Sequence, residues 1–160
     1  MSGPEVLFYH LERATLETVL PGLLEKTLAR DWKALVVTGA GAPLDALDVT
    51  LWTYRDDSFL PHASVAASQD PALETILLDD GDDTVRTPLN GADVLFVVGG
   101  ADVAPDAFSA FARIVVIFDG RVQETLDHAR AYWKTIKAIE PPLDLTYWQQ
   151  GDGGRWEKKA

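Results

Sequence analysis

Three cations and one indole stand close enough in this sequence to hold a docked anion. The stretch Ala129 to Ile139 reads A-R-A-Y-W-K-T-I-K-A-I and contains Arg130, Lys134 and Lys137 with no acidic residue. On a helix the three cations fall within about 60° of arc, and Trp133 borders the row. Arginine offers a planar fork that matches a carboxylate, lysine a mobile point charge, and an indole a flat apolar wall. Together they suit an acidic peptide that ends in a bulky side chain. On the far flank of Trp133, Val122, Ala129 and Ile136 share the face that should turn toward a core. A second reading uses the same residues: cations late in a helix meet the negative end of its dipole, and a tryptophan at helical spacing often belongs to the core.

The chain around this stretch is acidic. Its 160 residues carry 25 Asp and Glu against 14 Lys and Arg, a formal net charge of -11. Broad binding to a nucleic-acid backbone draws its affinity from many cations that displace counterions, so any link to DNA should pass through another protein. Cysteine is absent, which excludes disulfides and thiolate ligands or nucleophiles and fits a reducing compartment. Apolar runs stay well short of the roughly 18 residues of a membrane span, and the N-terminus M-S-G-P-E-V lacks the basic flank and apolar core of a signal peptide. The expectation is a cytoplasmic protein with no membrane segment.

Other chemistry finds little support. Gly39-Ala40-Gly41 follows an apolar run as a dinucleotide fingerprint does, but Leu44 stands where the third glycine belongs and Pro43 removes a backbone donor. Gly99-Gly100 reads as a turn, and there is no P-loop motif. A nucleotide-binding enzyme using the Gly39 to Pro43 turn is the alternative to carry forward. His10, His62 and His128 accompany no hydrolase or metalloprotease motif and read as structural residues, so no catalytic residue is assigned and an enzyme is not expected. The run Asp79 to Asp83, D-D-G-D-D, lacks calcium-loop spacing and reads as a solvated turn. No metal or cofactor is expected.

The elements that must position the basic row are legible in outline. Apolar runs at Glu5–Leu11, Lys33–Thr38, Glu74–Leu78, Val94–Val98 and Ile114–Phe118 predict strands, with Leu143–Trp148 an edge strand or extended segment. Helical spacing begins after Thr15, although Pro21 and Gly22 interrupt it, and recurs at Pro43–Trp52, Pro105–Ala112 and beyond Asp119-Gly120. Alternating strands and helices predict a single-domain α/β fold with a doubly wound, mostly parallel sheet and helices on both faces. The expected division is a domain over residues 1–148 and a flexible tail over 149–160, where Q-Q-G-D-G-G-R-W-E-K-K-A looks disordered.

One more stretch is distinctive: Leu51 to His62, L-W-T-Y-R-D-D-S-F-L-P-H, whose Phe59 and Leu60 cannot both be buried by local structure. Taken with F-Y-H-L at Phe8–Leu11, A-R-x-x-W-K at Ala129–Lys134 and L-T-Y-W at Leu145–Trp148, the chain resembles the chi subunit of the bacterial DNA polymerase III holoenzyme over nearly its whole length. The resemblance implies a non-catalytic accessory subunit of the clamp-loader assembly, whose nucleotide-binding-like fold has no nucleotide site and which works in the nucleoid-associated replisome. It also implies binding to the acidic C-terminal tail of single-stranded-DNA-binding protein, several aspartates followed by a phenylalanine with a free carboxylate. On that reading Arg130 clamps the carboxylate, Lys134 and Lys137 neutralise aspartates, Trp133 walls the slot for the terminal ring, and Arg121 at the helix start is a further candidate. Relatives often carry tyrosine at the position of Ile136, so a contribution to the slot should be missing here. The resemblance further assigns Phe59, Leu60 and Pro61 to an interface with the small psi subunit, where psi exists; those residues could instead pack inward or serve another replisome partner.

Overall fold

The computed structural model describes residues 4–12, 14–39, 44–53, 61–64, 69–79, 90–101, 103, 105–139, 143–151 and 155–159. Among these, eight strands form one sheet: β1 (Glu5–Leu11), β2 (Ala34–Thr38), β3 (His62–Ser64), β4 (Ile76–Asp79), β5 (Val94–Val98), β6 (Arg113–Asp119), β7 (Asp144–Gln150) and β8 (Trp156–Lys158). Their order across the sheet is β3-β4-β2-β5-β6-β1-β7-β8, parallel throughout except for the β7–β8 pair. Three α-helices join them, α1 (Leu16–Ala29), α2 (Leu44–Thr53) and α3 (Gln123–Lys137), with 3-10 helices at Pro71–Leu73 and Pro105–Ala110. The α/β class, the parallel sheet and the helices on both faces are those the sequence predicts.

The central strands are apolar without alternation because both of their faces are covered. All five residues of β2 and of β5 are buried, as are Ile114 to Phe118 of β6. On one face Val6, Phe8, Val97, Ile114 and Val116 pack against Phe108 of the second 3-10 helix and Ala129, Tyr132 and Ile136 of α3. On the other, Val36, Phe96, Val115 and Ile117 meet Leu20 and Leu24 of α1 and Leu47 and Leu51 of α2. Helix α1 runs through Pro21, which removes a single backbone donor near the helix start.

Two stretches depart from the sequence expectation. Strand β3, not predicted from the sequence, begins at His62, the last residue of the distinctive Leu51–His62 stretch, and β4 begins at Ile76 rather than Glu74. The tail expected to be frayed from residue 149 instead completes β7 and returns as β8, with Gly151 N–H donating to the Arg155 carbonyl at 2.7 Å and Lys159 N–H to that of Tyr147 at 2.7 Å. Its anchor is Trp156, which packs edge-on against Tyr9 with ring centroids 4.9 Å apart, an apolar contact hidden within a polar average. Residues 80–83 of the aspartate run and 40–43 of the candidate nucleotide turn lie outside the described residues.

The glycines that imitate a fingerprint have a packing use. A Cβ on Gly39 would sit 2.6 Å from the Gly99 carbonyl oxygen and 2.7 Å from Ala101 N, while Gly99 and Gly100 turn at φ 63° and 79°. The ends of β2 and β5 therefore meet backbone to backbone. Gly39→Ala is expected to lower stability by about 1–3 kcal/mol through forced separation of these turns, measurable as a drop in the denaturation midpoint; an unchanged midpoint would show that the contact gives way freely.

Candidate functional site

Helix α3 follows the turn Asp119-Gly120-Arg121, which glycine makes possible: a Cβ on Gly120 would fall 1.6 Å from His10 Nε2. The Thr125 hydroxyl donates to the carbonyls of Asp119 and Val122, fixing the first turn. Glu124 lies in that turn, and Lys134 and Lys137 lie in the last, matching the helix dipole at both ends. Ala129, Tyr132 and Ile136 form the buried face. Val122 does not belong to it, contrary to the sequence expectation: the helix starts one residue later, and Val122 is the N-cap residue, 46% exposed. The buried face includes Tyr132, which the sequence reading did not place there and whose hydroxyl donates to the Val103 carbonyl at 2.6 Å.

The outer face carries the row. Arg130, Lys134 and Lys137 are all exposed, and among the described residues no carboxylate forms a salt bridge with any of them. Trp133 is half-buried between this row and the sheet. Its ring stands nearly perpendicular to Phe8 at 5.2 Å and to Tyr147 at 5.4 Å, so the indole is held on two sides by β1 and β7. The two readings of the sequence are thus both partly realised: the cations complement the dipole, and the indole is backed by core while still reaching the surface.

Tyr147 is the residue that sequence reasoning missed. It backs Trp133, and its hydroxyl lies 2.6 Å from His10 Nδ1. The other ring nitrogen of His10 is 2.6 Å from Glu12 Oε1 without hydrogen-bond alignment. Burial pushes the Tyr147 phenol above the ordinary tyrosine range, and the Arg130 guanidinium beside it pulls the other way. Alternation in L-T-Y-W was the available signal, since it puts Leu145 and Tyr147 on one face of β7, which lies between β1 and β8 and is not the edge strand the sequence suggested. A raised phenol pKa adds stability that is complete below the ordinary tyrosine pKa and is lost as pH rises through the shifted value. Arg130→Ala should therefore move the phenol still higher, read as a later alkaline ultraviolet transition; a shift to lower pH would separate Arg130 from Tyr147.

Other sequence-predicted residues fall elsewhere. Arg121 lies in the turn before α3, with Nε 3.0 Å and Nη2 3.2 Å from the two carboxylate oxygens of Asp119. Its hydrogen bonds are the main reason the Asp119 carboxyl sits below the usual range. It stands about 13 Å of helical rise from Arg130, so the structure does not bring it to the row. Ile136 is 1% exposed, which places it in the core rather than in any slot at the surface. Phe59 and Leu60 lie outside the described residues. Pro61 is exposed, as are Val49 and Trp52 on α2 at 59% and 51%. The Trp52 ring lies 4.7 Å from that of His62, whose Nε2 is 3.1 Å from Asp48 Oδ1.

Two clefts occupy other parts of the molecule. One, of about 480 Å³, opens at the carboxyl ends of β1, β5 and β6, where doubly wound folds hold nucleotides. Its charged lining consists of Glu17, Asp119 and Glu124, with no lysine or arginine among the described residues, a poor setting for phosphate. The second, of about 410 Å³, lies beneath the carboxyl end of α1. Neither includes Arg130, Trp133, Lys134 or Lys137.

A family model for "DNA polymerase III chi subunit, HolC" matches residues 3–143. The chain belongs to the chi subunit family of DNA polymerase III. It is similar to a probable DNA polymerase III subunit chi from Rickettsia prowazekii (strain Madrid E), 28% identical over 157 residues that span 95% of this chain and 90% of that protein. Chi subunits are accessory subunits of the polymerase, so the chain's role lies in DNA replication and its partners are replisome components. The family match ends just before β7, the strand that supplies Tyr147. Among the described residues no helix is long and apolar enough to cross a membrane.

Proposed function

We propose that this chi subunit is a non-catalytic adaptor that grips the acidic C-terminal tail of single-stranded-DNA-binding protein and links it to the clamp loader of DNA polymerase III. The observation that carries the reading is the row of three exposed cations, unpaired among the described residues, beside a half-buried indole on a chain of net charge -11. Arg130 meets the terminal carboxylate through its fork, and Lys134 and Lys137 offset the aspartates. Trp133, stiffened by Phe8 and Tyr147, gives the terminal ring an apolar wall. Arg121 has no part in this arrangement, because Asp119 holds it. A pull-down tests the proposal: single-stranded-DNA-binding protein should be retained when intact and lost when its terminal residues are removed. Equal retention of both forms would defeat it.

A second surface accompanies the first. Val49 and Trp52 of α2 and Pro61 are exposed apolar groups, and they are assigned to an interface with psi or, where psi is absent, another replisome subunit; Phe59 and Leu60 of the same stretch lie outside the described residues. On this reading the two surfaces divide the work, with α3 facing the coated template and α2 facing the polymerase assembly.

A further inference from the structure

We propose that the cleft beneath the carboxyl end of α1, with the aromatic sheet face beside it, binds single-stranded nucleic acid. This site is distinct from the α3 row and stands or falls without it. The cleft has a volume of about 410 Å³ and is walled by Lys26, Arg30 and Arg113 around Tyr9 and Trp32. Lys26 and Arg30 are both exposed, one turn apart. The Arg30 guanidinium lies 4.2 Å from the Trp32 ring centroid and that of Arg113 lies 5.4 Å from it, so one indole holds two cations at the mouth. Arg113 makes one long contact, 3.4 Å to Glu5, and among the described residues its buried Nε has no hydrogen-bond acceptor.

The sheet continues the pattern outward. Tyr9 and Trp148 are paired in register on β1 and β7, which puts both side chains on the face that α1 occupies farther along. Trp156 packs edge-on against Tyr9, and exposed Lys158 stands opposite Trp148 on β8. All three rings are half-buried, and α3 meets β7 through Trp133 and Tyr147, on the opposite face of the sheet from Tyr9 and Trp148. Rings on an open sheet face bordered by cations are what single strands use, with bases stacking and phosphates meeting Lys and Arg. An acidic peptide would use the cations but has no need of so many rings. The chain's overall negative charge acts over a screened distance of about 8 Å at physiological salt, so the local cations decide contact while keeping it weak and salt-sensitive.

The test is fluorescence anisotropy with a labelled single strand of about 15 nucleotides at about 150 mM salt, where remote charges are screened, with thymidine monophosphate as competitor. Lys26→Glu with Arg30→Glu, both at exposed positions, should weaken binding by about tenfold or more and flatten its salt dependence. Lys134→Glu with Lys137→Glu makes the same change in net charge and should leave binding as it was. Trp156→Ala should weaken it as well, with circular dichroism reporting whether β8 survives. Competition by the mononucleotide would identify a free nucleotide as the source of the bound chemistry, and binding of the strand alone would identify a single strand. The proposal is overturned by no binding of either probe, by binding that Lys26→Glu with Arg30→Glu leaves unchanged, or by an acidic peptide that occupies the cleft where no oligonucleotide does.

Discussion

Arg130→Ala combined with Lys134→Glu is expected to remove calorimetrically measurable binding of a peptide made of aspartates and a terminal phenylalanine. A short tail held by a few charges and one ring should bind at about micromolar Kd, near -8 kcal/mol. Loss of a carboxylate fork and reversal of a neighbouring charge should cost about 2–4 kcal/mol together, which carries the Kd toward millimolar. Stability should hardly move, because both side chains are exposed and neither is in a salt bridge among the described residues; surface changes of this kind stay within about 0.5 kcal/mol. Added salt should weaken the wild-type interaction in the same direction. Arg130→Lys should restore only part of the affinity, since an ammonium keeps the charge and loses the fork. Undiminished binding by the double variant would remove α3 from the account.

Phe8→Ala is expected to have the largest effect on stability, about 3–5 kcal/mol. Phe8 is 0% exposed, and its ring lies 5.2 Å from Trp133, 6.0 Å from Tyr132, 6.4 Å from Phe118 and 6.5 Å from Tyr147. Truncation would leave a cavity bordered by four rings, none of which can relax far without moving α3 or β7. Against a total stability of about 5–15 kcal/mol, a loss of this size leaves little margin. Phe8→Leu keeps most of the volume and should cost about 1–1.5 kcal/mol. Because Phe8 backs Trp133, Phe8→Ala should also weaken peptide binding under conditions where the variant stays folded. Denaturant titration decides the first point; a loss under about 1 kcal/mol would mean that the ring cluster does not act as a unit.

The sequence was most legible where apolar runs were long and covered on both sides. Glu5–Leu11 and Val94–Val98 match β1 and β5 at both ends, because burial on two faces leaves no room for polar residues to blur a boundary. It was least legible where one contact outweighs composition. Strand β3 is three residues long, and β8 rests on Trp156 among polar neighbours; neither carries a periodic signal. At the candidate site, helical geometry groups Arg130, Lys134 and Lys137 beside Trp133, and the stretch is helical in α3 with the three cations exposed. Val122 failed because the angle was counted past the true helix start. Arg121, a further candidate from the family resemblance, pairs with Asp119 two residues away in a turn, a contact that helical spacing cannot represent. Tyr147 went unassigned because it reaches the site from β7, and its neighbours in space are known only once the strand order is known.

The central claim is that the surface of α3 beside Trp133 receives an acidic tail with an aromatic end. The chain has five tryptophans, so a nitrogen-15 nuclear magnetic resonance titration with that peptide reads the indole signals separately, with Trp133→Phe supplying the assignment. The account predicts that the Trp133 indole and the amides of residues 130–137 shift together and saturably, while Trp32, Trp52 and Trp156 hold still. Shifts centred on Trp52 and the amides of α2 or on the cleft at Gly99 and Asp119, with Trp133 unmoved, would contradict it.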